Sequence, residues 1–163
     1  MSVVIYKKIG NKIEIAADNM FCNLDNGFCG KQQKLFKFLN EIVIGHCGSI
    51  TQMEYINNVL SQLTELNKKK FDYNFFNENC VLENTEYHCC LIFIEHKIFY
   101  IKIADGKLKK FIDVSNRNIY GIGYFEIPLG CMLMGATPEE AIKKSSEYNM
   151  FFNNEVTKFI ING

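Results

Sequence analysis

Residues 41–63 read EIVIGHCGSITQMEYINNVLSQL, and much of the fold follows from how that run divides. Glu41-Ile42-Val43-Ile44 is a short apolar run without polar alternation, the pattern of a strand buried on both faces. Gly45-His46-Cys47-Gly48 ends it. Ser49-Ile50-Thr51-Gln52 then has the Ser-x-x-Gln form of a capping box, and Met53, Ile56, Leu60 and Leu63 recur at helical spacing. The helix is expected to run out in Lys68-Lys69-Lys70, cations that suit a helix C-terminus and face solvent. A buried strand feeding directly into an amphipathic helix implies a helix laid on a sheet.

Working outward, Val3 to Lys8 and Lys12 to Ala17 are β-rich runs joined by Ile9-Gly10-Asn11, a tight hairpin. Asp25-Asn26-Gly27 reads as a second turn. Residues 71–84 are aromatic and Asn-rich and give no clear assignment. Tyr87 to Ile94 and Lys97 to Ile103 form a hairpin over Glu95-His96, and Ala104-Asp105-Gly106 turns the chain into a strand from Lys107 to Asp113. Residues 119–136 read as a glycine-rich turn followed by a helix. Thr137-Pro138-Glu139-Glu140 starts the next helix with an N-cap, a proline at N1 and a glutamate at N3. A closing strand covers Val156 to Ile161. Strand runs separated by helix runs predict an α+β fold, and with no repeat or linker the 163 residues are expected to form one domain.

Composition excludes more than it assigns. Eighteen basic and eighteen acidic side chains cancel, and Arg117 is the one arginine, so no nucleic-acid or anionic-lipid partner is expected. No apolar run approaches the length of a membrane span and no leader is read at the start; with seven scattered cysteines, this predicts free thiols in a reducing cytoplasm. His46-Cys47 and His88-Cys89-Cys90 invite a zinc reading. However, no CxxC occurs, Cys22 to Cys29 is too wide for a knuckle, and adjacent Cys89 and Cys90 on a strand point to opposite faces. The chain is therefore read as needing neither metal nor cofactor.

KIEIAADN after the first hairpin, KQQKLFKF before the buried strand, and VIGHCGSITQMEYINNVL at the strand–helix junction resemble proteasome β subunits. The resemblance is strongest to the small peptidase subunit of the bacterial two-component ATP-dependent protease. IFYIKIADGKLKKF and YGIGYFEIPLGCMLMGATPEEAIKKS agree more loosely, so the likeness spans the chain at low identity. It implies an N-terminal nucleophile hydrolase, a four-layer αββα sandwich. It also implies a ring-forming homo-oligomer in the cytoplasm, fed with peptide or unfolded protein by an ATP-dependent unfoldase. With the family's nucleophile on Ser2, exposed by removal of Met1, its aspartate falls on Asp18, its lysine on Lys34 and its oxyanion-hole glycine on Gly48, without a gap.

Two family positions depart from the pattern. The serine of the family's glycine turn falls on Ile122, and its Asp-x-x-Ser-Gly-Gly segment falls on Asn149-Met150-Phe151-Phe152-Asn153-Asn154, with only Asn149 left as a partial substitute. Two functions follow from the resemblance. One is a peptidase using Ser2, Asp18, Lys34 and Gly48. The other is a catalytically inactive structural or assembly subunit of the same fold, for example in a bacteriophage particle, which would place it in a virion or host cytoplasm. A small-molecule-binding α+β domain unrelated to that family is the third reading.

Overall fold

In the computed structural model, residues 2–22, 29–148 and 153–162 are described; Met1, the turn expected at Asp25-Asn26-Gly27 and Asn149 to Phe152 lie outside them. In chain order the first elements are β1 (Val3–Ile9), β2 (Lys12–Asp18), β3 (Met20–Cys22), β4 (Cys29–Lys31), β5 (Leu35–Lys37) and β6 (Val43–Gly48). Next come α1 (Ile50–Ser61), α2 (Glu65–Lys68), α3 (Tyr73–Asn79), β7 (Tyr87–Ile94), β8 (Lys97–Ala104) and β9 (Lys107–Asp113). The chain closes with β10 (Ile119–Gly123), α4 (Glu126–Leu133), α5 (Pro138–Ser146) and β11 (Val156–Asn162). These elements fall into two compact units, residues 1–35 with 117–163, and residues 36–116.

The first unit is built on an antiparallel sheet of order β10-β1-β2-β11. The β1–β2 hairpin closes at Ile9↔Lys12, with Gly10 at φ +58° in the turn, a conformation that glycine enters without strain. Val3, Ile5 and Ala16 pack against Met132, Ala141 and Ile142 of α4 and α5, so one face of this sheet carries a helical layer. α5 begins as its sequence predicts: Thr137 Oγ1 accepts from Glu140 N, and Glu140 accepts from Thr137 N at 2.9 Å. The glycine-rich segment is a strand rather than a turn. A Cβ on Gly121 would lie 2.7 Å from Ile5 Cγ2 and 2.8 Å from Phe125 Cβ, so the missing side chain serves close packing.

The second unit is a five-stranded sheet of order β5-β6-β7-β8-β9 with α1 and α3 packed against its core. Ile42, Ile44, Ile56, Leu60, Phe76, Ile92 and Ile101 are wholly buried there. β6 does not stop at Ile44; it pairs with β7 from Val43↔Phe93 through Gly48↔His88. α1 ends at Ser61, and Thr64 caps a fresh turn by accepting from Asn67 N. That break carries Lys68 inward, where its Nζ donates to Asn40 O at 2.9 Å and pairs with Glu65 at 2.6 Å. Lys68 is thus a buried tie and not the solvated helix end its sequence implied. The unassigned aromatic stretch holds α3, capped by Asp72, which accepts from Phe75 N at 2.8 Å.

Ser49 caps α1 through Gln52 N at 3.3 Å, but the box is not reciprocal. The Gln52 side chain, fully buried, donates to Cys80 O at 2.6 Å and accepts from Leu82 N at 2.9 Å and Thr85 Oγ1 at 2.7 Å. It secures the chain between α3 and β7. Gln52→Ala leaves the Cys80 C=O, the Leu82 N–H and the Thr85 hydroxyl without this partner and should lower stability by about 2–4 kcal/mol in urea unfolding. A loss below about 1 kcal/mol would mean the segment holds without it.

Candidate functional site

Asp18 ends β2, is fully buried, and accepts hydrogen bonds from two backbone amides and one ammonium. Its Oδ1 takes Val3 N at 2.8 Å and Lys34 Nζ at 3.0 Å. Its Oδ2 takes Met20 N at 3.1 Å and Lys34 Nζ at 2.9 Å. Lys34 is itself buried, at 4% exposure, so the cation and carboxylate compensate each other away from water. Ser2 is half-buried next to this pair. Its carbonyl accepts from Tyr124 N at 3.0 Å, while the amide that follows it is held by Asp18. Three residues singled out in the sequence are therefore brought together at the start of β1.

Gly48 belongs to the second unit and ends β6. Its φ is +117°, and a Cβ would lie 2.7 Å from Tyr87 O and 2.9 Å from His88 Cα, so only glycine fits both the conformation and the space. Ile122, in register with Val4, is buried at 3% exposure and offers the neighbouring strand no hydrogen-bonding side chain.

No protein-family model matches the chain, and no curated protein sequence matches it. Solved structures do. Eukaryotic HslV from Trypanosoma brucei shares 17% identity, with 99% of each chain covered and a TM-score of 0.65. Thiobacillus denitrificans BPH in complex with epoxomicin shares 16% identity over 98% of each chain, with a TM-score of 0.70. A mutant of Anbu from Hyphomicrobium sp. strain MC1 shares 14% identity over 99% of this chain and 82% of its own, also at 0.70. The chain has the α+β fold of the proteasome-type N-terminal nucleophile hydrolases. No helix among the described residues is long and apolar enough to cross a membrane.

The second unit carries a polar cluster built from His46, His88 and Cys90, residues that the sequence offers as a zinc candidate and that motif spacing argues against. His46 and Cys90 are opposed partners on β6 and β7, and His88 lies two residues from Cys90. His46 Nδ1 is 3.1 Å from His88 Nε2, and His46 Nε2 is 2.9 Å from Asn57 Oδ1 on α1. Burial pushes His46 down to about 4, against a smaller raising effect of the Asn57 bond. Burial, then the neighbouring His46, holds His88 well below the usual histidine range, with the Ser49 backbone opposing. No short motif announces this cluster; only the strand register assembles it.

Two outcomes test this description. Lys34→Met strands a buried carboxylate and should cost about 3–5 kcal/mol, whereas Asp18→Asn combined with Lys34→Met should cost clearly less than the two single losses together. Simple additivity in denaturant unfolding would show that the pair is not coupled. For the histidines, the unfolded chain takes up protons below about pH 6.5 while folded His46 resists until about 4. The His46 contribution to stability is thus fully present above pH 6.5 and is lost towards pH 4, by about 3 kcal/mol. His46→Gln should flatten that decline in chemical unfolding series across pH.

Proposed function

We propose that this chain, a single proteasome-like domain over residues 1–163, is an N-terminal nucleophile peptidase. Removal of Met1 would expose the Ser2 α-amine, whose unperturbed pKa of about 8 suits a general base at neutral pH. That amine takes the Ser2 hydroxyl proton as Oγ attacks an amide carbonyl. Gly48 N–H donates to the developing oxyanion, a contact worth about 3–4 kcal/mol where such donors have been removed. The ammonium then gives its proton to the departing amine, and water, deprotonated by the same amine, frees the acyl group from Oγ. The Lys34 cation disfavours a second positive charge nearby and keeps the amine basic, while Asp18 holds Lys34 in place. One observation carries the reading: Asp18 binds both Lys34 and the amide that follows Ser2.

The likeness to HslV, BPH and Anbu supports self-association into a ring, with unfolded polypeptide delivered by an ATP-dependent partner in the cytoplasm. The second reading, a non-catalytic structural subunit of the same fold, is favoured by the apolar Ile122 where the family's pattern has a serine.

Intact mass and labelling separate them. Active protein should lack Met1 and take up one epoxomicin, the compound bound to Thiobacillus BPH, per chain. Ser2→Ala should abolish the adduct. Retained Met1, or an adduct that survives Ser2→Ala, overturns the Ser2 mechanism; a clipped chain that takes no adduct supports the structural reading.

A further inference from the structure

β6 and β7 gather three metal-ligating side chains by register alone. His46 faces Cys90 directly across the pair, and His88 precedes Cys90 by two residues, so all three project from one face of the sheet. One donor atom from each lies within 4.8 Å of the others, and all three residues are buried. The two imidazole nitrogens, 3.1 Å apart, already stand near the ~3.3 Å separation of two nitrogens sharing one ion at ~2.0–2.1 Å. Asn57 fixes the rest of the geometry. Its Oδ1 accepts from His46 Nε2 at 2.9 Å, which leaves the Nδ1 lone pair turned towards His88. An outer carbonyl orienting a ligating imidazole in this way is the usual support of a metal site.

We propose that His46 Nδ1, His88 Nε2 and Cys90 Sγ together bind one thiophilic transition-metal ion. In the metal-free chain His88 donates its Nε2 proton to His46 Nδ1. On binding, that proton passes to the other ring nitrogen of His88, the buried Nδ1, and the Cys90 thiol releases its proton to solvent. Soft thiolate and imidazole donors select copper or zinc over magnesium or calcium. Three ligands in a buried pocket match trigonal Cu⁺, whereas Zn²⁺ requires a fourth donor. The ion would clip β6 to β7 where His88 pairs with Gly48, stiffening the strand end that carries this glycine.

The full chain, with exposed Cys29 replaced by serine, is stripped with a chelator under reducing anaerobic conditions. It is then dialysed against Cu⁺, Zn²⁺ or Co²⁺ and assayed for bound metal. One equivalent per chain, a rise in Tm and a thiolate-to-cobalt charge-transfer band are expected, with Cu⁺ held more tightly than Zn²⁺ if the site is trigonal. Cys90→Ala should remove the band. Asn57→Ala, at a half-buried helix position, should weaken binding about 10–100-fold. Less than one equivalent of every metal, a band that persists in Cys90→Ala, or unchanged affinity in Asn57→Ala would each overturn the site.

Discussion

The first unit depends on one buried carboxylate. Asp18 joins the start of β1, the end of β2, the start of β3 and the segment before β5 through four contacts on two oxygens. Desolvating it costs several kcal/mol, which Lys34 and the two amides must offset together. Asparagine would not serve, since its amide nitrogen cannot accept the second backbone N–H. The negative charge is thus required by the backbone, and the buried lysine is required by the negative charge. Ser2 is placed as a consequence: the peptide unit that follows it is held on both sides, its carbonyl accepting from Tyr124 N and its N–H donating to Asp18.

The second unit follows the same rule with neutral groups. Gln52 satisfies three polar atoms between α1 and the approach to β7, and His46 is satisfied by His88 on one ring nitrogen and Asn57 on the other. Neutral hydrogen-bonded imidazoles avoid the charge penalty, which is why their protonation is deferred to acid. These networks bear on β6 and β7, the strands whose pairing ends at Gly48. The glycine's positive φ and its lack of space for a Cβ are set by Tyr87 and His88 across the ladder.

What could be read from the sequence was local. The Gly10 hairpin, the Thr137 capping box and the β7–β8 hairpin each depend on residues within a few positions, and all three appear where they were expected. The positions of Ser2, Asp18 and Lys34 were legible only through resemblance, because nothing near Lys34 in sequence shows that it is buried. Lys68 was misplaced for the converse reason: a lysine run reads as solvated until a distant carbonyl, Asn40 O, and two glutamates surround it. Gln52 looked like a capping partner because spacing cannot show that Cys80 and Thr85 compete for its amide. His46-Cys47 and His88-Cys89-Cys90 stand out in the sequence, but spacing within each segment argues against a metal site. Only the register of β6 and β7 brings His46, His88 and Cys90 together, from positions 42 residues apart.

Magnitudes then rank the departures from the family pattern. Serine in place of threonine removes the methyl that narrows χ1. With its carbonyl and the next amide both held, Ser2 has one side-chain torsion left to order, at a cost of about 0.5–1 kcal/mol, a few-fold in rate. An oxyanion donor is worth about 10²–10³ where one has been removed, and Gly48, which the proposed chemistry assigns to that role, has the φ of +117° and the crowding that only glycine fits. Ile122 lies on the strand paired with β1 and substitutes a buried apolar surface for a hydroxyl. Relative to the family's pattern it removes a hydrogen-bonding group outright, a loss that no side-chain rotation of Ile122 restores. Of the two departures, Ile122 rather than the serine at position 2 would limit the proposed chemistry more, and Ile122→Ser is the substitution through which that chemistry would gain most.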